Sequence, residues 1–117
     1  MTLQSFKYAK SGKVLSLGAI TVGNATESLH IAGIDYLEFE FTVASIGTNV
    51  VVRAEISLDG TNWVNADVGG TDTIITENGT YIMEAKFSGL YVYARLTWVS
   101  ASAGSPTIAT SNVTVRS

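Results

Sequence analysis

Residues 57–63 read Ser-Leu-Asp-Gly-Thr-Asn-Trp and lie between stretches in which apolar and polar residues alternate. A period of two sends successive side chains to opposite faces of a sheet. Such a chain folds as strands with one face in a core and the other in water. Asp59-Gly60 is a strong hairpin signal between two such runs, because both central positions of a tight turn must tolerate positive φ. Trp63 leaves on the returning strand, placed to pack over the hairpin's end. Asp59, Gly60 and Trp63 are therefore read as structural hairpin residues.

The same alternation extends through most of the chain. Over 35–44, Leu37, Phe39, Phe41 and Val43 share one face, with Tyr36, Glu38, Glu40 and Thr42 on the other. Over 49–58, Val50, Val52, Ala54, Ile56 and Leu58 point inward, which turns Arg53 and Glu55 outward and sets Arg53 to pair with Glu38 or Glu40. Asn78-Gly79 is a second hairpin signal, followed by Tyr81, Met83, Ala85 and Phe87 on one face. Leu90, Val92, Ala94, Leu96 and Trp98 line an inner face, leaving Tyr91, Tyr93, Arg95 and Thr97 outside. The last strand changes phase between Ile108 and the Val113/Val115 pair, so a bulge is expected near Ser111. Gly18 marks another within a first strand at 13–22, Gly23-Asn24 a turn, and 26–31 a short second strand. No window carries a helical period with caps. Eight or nine short strands between glycine-rich turns indicate an all-β fold, an antiparallel sandwich or jelly roll.

A chain of 117 residues supports one domain with its own core. Residues 1–12 read as an extended arm and 13–117 as the sandwich. The arm has apolar anchors at Leu3, Phe6 and Tyr8, and Lys7, Lys10 and Lys13 give its neighbourhood +3. The remainder has four basic and ten acidic residues, hence −6. An acidic balance argues against a nucleic-acid partner. No apolar run approaches a membrane span, and the first twenty residues have no apolar core of a secretory signal, so neither membrane nor secretion is expected. The absence of cysteine removes disulfides and thiolate metal sites and fits assembly in a reducing cytoplasm.

Catalytic chemistry finds little purchase. His30 is the single histidine, and no serine near it carries a nucleophile motif, so it reads as a surface or packing residue. Asp59, Asp67 and Asp72 are oxygen ligands of the type calcium takes, but their spacing fits no calcium loop and Asp59 belongs to its turn. Neither metal nor cofactor is expected. The hairpin lacks the residue between Asp and Gly found in the aspartate box of sialidases, and it occurs once. It is more similar to the Ser-x-Asp-Gly-x-x-Trp turn of many sandwich domains, which is a folding feature. Tyr91, Tyr93 and Arg95 share the outer face of one strand. These residue types are enriched at interfaces, so they form a candidate contact patch.

Three further stretches accompany residues 57–63: Asn78-Gly79-Thr80-Tyr81, Leu90-Tyr91-Val92-Tyr93-Ala94-Arg95-Leu96, and the closing strand from Ser105-Pro106-Thr107 to Val115. Over residues 35–117 the chain resembles small all-β virion proteins of tailed bacteriophages, of the capsid decoration (cement) type. That resemblance implies a non-enzymatic protein on the capsid surface of the virion, typically a trimer, bridging neighbouring subunits of the major capsid protein. The arm would then add to a neighbour's sheet edge through Leu3, Phe6, Lys7, Tyr8, Lys10 and Lys13. Two other readings stay open: a carbohydrate-binding sandwich module that stacks sugars on Tyr91, Tyr93 or Trp63, and a different phage part at the head–tail junction or baseplate.

Overall fold

The computed structural model describes residues 6–8, 14–31, 33–34, 36–66, 72–86 and 91–116. All eight elements are strands: β1 (Phe6–Tyr8), β2 (Val14–Ser16), β3 (Ser28–His30), β4 (Tyr36–Ser57), β5 (Trp63–Asn65), β6 (Thr73–Ile75), β7 (Gly79–Lys86) and β8 (Tyr93–Arg116). They form one curled sheet, antiparallel except where β1 joins β3, in the order β1-β3-β8-β4-β5. Strand β2 pairs with the far half of β8, and β6 and β7 pair with β4. The expected all-β antiparallel architecture is present. Its strands are not uniformly short, however, since β4 runs for 22 residues and β8 for 24.

Residues 35–44 and 49–58, read as two strands, are one strand that bends. The β4–β8 ladder is continuous from Tyr36↔Arg116 to Ser57↔Tyr93, with register shifts clustered between Ala44 and Asn49. At that corner Ser45 and Ala103 have positive φ (56° and 60°), as does Gly104. Each extra or left-handed residue adds local twist and lets the sheet turn without losing its partner. Gly47 lies against the Ala103–Gly104 backbone so closely that a Cβ there would overlap the Ala103 carbonyl. Only glycine allows the two backbones to meet this way. The corner also switches the inward parity of β4, from the odd positions 37–43 to the even positions 50–56.

The same argument places the other expected bulge. Thr42 pairs with Thr110 but Val43 pairs with Ile108, so Ala109 is the extra residue. Ile108 and Val113 thereby both reach the core. Gly18, expected as a bulge within a strand over 13–22, instead lies beyond the end of β2, with φ +74, before the isolated Ile20↔Ile108 bridge. The turn at Gly23-Asn24 is closed by the Asn24 N–H donating to the Thr21 carbonyl at 3.0 Å.

Inside the curl, Leu37, Phe39, Phe41 and Val43 from one half of β4 join Val50, Val52, Ala54 and Ile56 from the other. Leu29, Leu96, Trp98 and Met83 complete a single buried cluster. Leu58 does not belong to it. It is 61 % exposed, because β4 ends at Ser57 and the hairpin loop carries Leu58 out.

The expected hairpin at Asn78-Gly79 is absent, since β6 and β7 do not pair with each other. Both run antiparallel to β4, β6 along Val50–Val52 and β7 along Tyr36–Val43. Together they form an interrupted edge that follows the bend of β4. Asn78 works at the interruption, where its Oδ1 accepts a hydrogen bond from the Ile46 N–H at 2.9 Å. That bond satisfies a backbone donor at the corner, where the β4–β8 register shifts.

Candidate interaction surface

The hairpin at 57–63 forms as expected, with Ser57 opposite Trp63, but by a different device. Gly60 has positive φ (78°), whereas Asp59 does not. The loop holds five residues, and Asp59 is there as an acceptor. Its Oδ1 receives the backbone N–H groups of Thr61 and Asn62, both at 2.8 Å, and its Oδ2 the Asn62 side-chain amide at 2.8 Å. The Ser57 hydroxyl donates to Asp59 Oδ1 at 3.0 Å and accepts the Gly60 N–H at 2.8 Å. The Asn62 and Thr61 backbone donors, then the Asn62 amide, hold the Asp59 carboxyl well below the usual carboxylate range.

Ser57 sits in a transverse row across the outer face. Trp63 of β5, Ser57 of β4, Tyr93 of β8 and His30 of β3 are directly opposite one another in turn. Ser57 is buried, while the three rings are half-buried. Tyr93 and His30 meet edge to face, with ring centroids 5.7 Å apart.

Beside this row lies a polar network that sequence reasoning did not assemble. Glu55, expected to face water, is only 6 % exposed. It is on the outer face but covered. Its Oε1 accepts from Arg95 Nε at 2.8 Å and from the Thr97 hydroxyl, and its Oε2 lies 3.5 Å from Arg53 Nη1. Arg53 pairs with Asp72 through two bonds, Nε to Oδ1 at 2.7 Å and Nη2 to Oδ2 at 2.9 Å. The Asn65 amide also donates to Asp72 Oδ1, at 2.9 Å. The expected Arg53 pairing with Glu38 or Glu40 does not occur, because the bend carries those carboxylates onto the other half of the sheet. Arg53 holds the Asp72 carboxyl below its ordinary range, and Asp72 raises Arg53 in return. The Arg95 guanidinium stacks on the Trp63 ring, 4.0 Å from its centroid, a partly buried cation–π contact that holds the indole.

Of the patch read from the sequence, Tyr93 and Arg95 are on this surface; Arg95 meets the hairpin residue Trp63, and Tyr93 meets His30. Tyr91 is elsewhere: it precedes β8 and packs against the core cluster. Of the arm, Phe6, Lys7 and Tyr8 form β1, which extends the sheet of its own chain beside β3. Leu3, Lys10 and Lys13 lie outside the described residues, as do Asp67, Phe87 and Leu90. Glu55, Asp72, Asn65 and His30 were missed as members of the surface. The opposite charges of Arg53, Glu55 and Arg95 were the available signal, but using it required the register.

Asp59 and Asp72 are both engaged in protein hydrogen bonds, and the described residues contain no cluster of three metal-ligating side chains. An apolar groove of about 430 Å³ runs over Ile20, Val22, Trp98, Pro106 and Ile108 and has no ionisable side chain in its lining. Comparison with protein-family models, with curated proteins and with solved structures gave no match.

Proposed function

We propose that the protein is a non-enzymatic structural virion protein, a capsid decoration protein. It binds the capsid exterior as a trimer and bridges neighbouring major capsid protein subunits. The observation that carries this reading is the placement of the exposed aliphatic side chains. Among the described residues, five large aliphatic side chains are 50–64 % exposed; Leu58, Val64, Ile74 and Ile82 lie on β5, β6, β7 or the loop leading to β5, and Val22 stands apart between β2 and β3. Concentrated apolar exposure along one margin of a rigid sheet suits contact with other subunits. The charges of the neighbouring network pair as Arg53–Asp72 and Arg95–Glu55, which leaves little there for acid–base chemistry.

The mechanism is mechanical. A stiff sheet touching several capsid subunits raises the free energy needed to part them. Repetition around a symmetric shell makes each added contact effectively intramolecular. The arm residues Leu3, Phe6, Lys7, Tyr8, Lys10 and Lys13 supply a second contact by strand addition, the mode β1 already uses within its own chain.

The test is the mass of the purified protein in solution, followed by co-sedimentation with phage heads lacking it. A trimer that sediments with heads is expected, with affinity reduced by the paired substitution Ile74→Lys and Ile82→Lys and by removal of residues 1–12. A monomer that stays in the supernatant at all concentrations overturns the reading.

A further inference from the structure

The row Trp63–Ser57–Tyr93–His30 has a geometry that neither the fold nor a capsid contact requires. From it we infer that the outer face of the β5–β4–β8–β3 region is a binding site for a linear, uncharged oligosaccharide lying across the strands. This inference is independent of the capsid reading.

Spacing is the first argument. Trp63 and Tyr93 flank Ser57 on neighbouring strands, so their backbones are two interstrand steps apart, roughly 10 Å. That is about the length of a disaccharide unit in an extended chain of pyranose rings. Aromatic side chains rising on one face from backbones at that separation suit alternate sugars of one chain. The C–H groups on a pyranose face carry slight positive charge and are attracted to the negative face of an aromatic ring, while the ring also buries apolar area.

Rigidity is the second. The ground between the rings is held by Ser57, 1 % exposed and locked into the hairpin by its bonds to Asp59 and Gly60. Arg95 pins Trp63 on one face at 4.0 Å, and His30 pins Tyr93 edge to face. Rings fixed before the ligand arrives lose little rotamer freedom on binding.

Polar chemistry is the third. Along one side of the row stand Asn65, Asp72, Arg53 and Thr97, all half-buried and mutually oriented. These amide, carboxylate and guanidinium groups fix one another while staying partly exposed, so they offer donors and acceptors of the kind that vicinal hydroxyls bind. The two cations and two anions of this region pair as Arg53–Asp72 and Arg95–Glu55. The Asp59 carboxylate beside them is held by its own hairpin, so this face carries no surplus of positive charge and favours a neutral glycan over a sulfated or sialylated one.

The experiment is titration calorimetry of the purified chain with cellohexaose and chitohexaose, alongside a printed array of neutral and anionic oligosaccharides. Saturable binding to at least one neutral linear glycan is expected. Trp63→Ala and Tyr93→Ala each weaken it roughly tenfold or more, while Tyr93→Phe retains it. Amide chemical-shift mapping on the unmodified protein covers the case in which an alanine variant fails to fold. Perturbations centred on residues 55–65 and 93–97 support the site. Absence of binding to every glycan, a preference for anionic ones, unchanged affinity in both alanine variants, or perturbations centred elsewhere would each overturn it.

Discussion

The two halves of β4 share a strand, a ladder partner and a core, yet their outer faces carry opposite chemistry. Beyond the corner, Arg53, Glu55, Arg95 and Asp72 close into a neutral network roofed in part by Trp63. Before it, Glu38 stands directly opposite Glu84, with Glu40 one step along. None of these three has an ion-pair partner among the described residues. Glu38 and Glu40 rim a shallow pocket of about 120 Å³ with Ile82, Asn112 and Thr114, and burial, followed by the charges of Glu38 and Glu84, raises the Tyr36 phenol above its ordinary value. Charge content alone therefore does not determine what a sheet face does. The register decides whether carboxylates meet guanidinium groups or one another.

The junction between the halves gives the largest expected effect. Gly47→Ala forces the Ala103–Gly104 backbone away and should cost about 3 kcal/mol or more, read as a lowered midpoint in urea unfolding. If the variant unfolds at the unmodified protein's midpoint, the corner is not the close backbone contact described. Next in size is Glu55→Ala. It strips Arg95 and Thr97 of a covered acceptor and should cost about 2–3 kcal/mol. Glu40→Ala, the control on the other half, should change stability by no more than a few tenths of a kcal/mol. Equal losses would erase the contrast.

Acid separates the halves in another way. Asp59 and Asp72 have folded-state pKa values below those of the unfolded chain. Their stabilisation is fully present above the unfolded value, about 3.9, and is lost as pH falls through the folded values. Thermal midpoints should therefore drop as pH is lowered from about 5 toward 2, and Asp72→Asn should make that decline shallower. The smallest effect is a gain. Glu84→Lys replaces a like-charge cross-strand pair with an opposite one and should stabilise by about 0.5 kcal/mol at low salt, fading as salt is added.

Much of the core was legible from period two alone: Leu37, Phe39, Phe41, Val43, Val50, Val52, Ala54 and Ile56 are all buried as the alternation requires. So was the bulge in the last strand, because Ile108 and Val113 cannot share a face without an extra residue. What could not be read was pairing. Asn78-Gly79 has the composition of a hairpin, but β7 finds its partner in β4, and only tertiary register reveals that. The corner was hidden for a related reason. Gly47 looks like a strand terminator until the Ala103–Gly104 backbone comes to lie on it. Tyr93 and Arg95 were placed on an outer face from sequence, but the meeting of Arg95 with Trp63 crosses three strands. Local spacing carries no information about that encounter.

The ladder joining β4 to β8 has a consequence for how the protein is made. Its contacts run from Ser57↔Tyr93 out to Tyr36↔Arg116, so this edge of β4 is completed only once residue 116 has left the ribosome. Folding dominated by such distant closures is slow, and until then the apolar side of β4 stays open to other chains. A product that stops before Ser111 leaves Tyr36 to Phe41 without their β8 neighbour. A prematurely terminated product should aggregate rather than persist as a smaller soluble fragment.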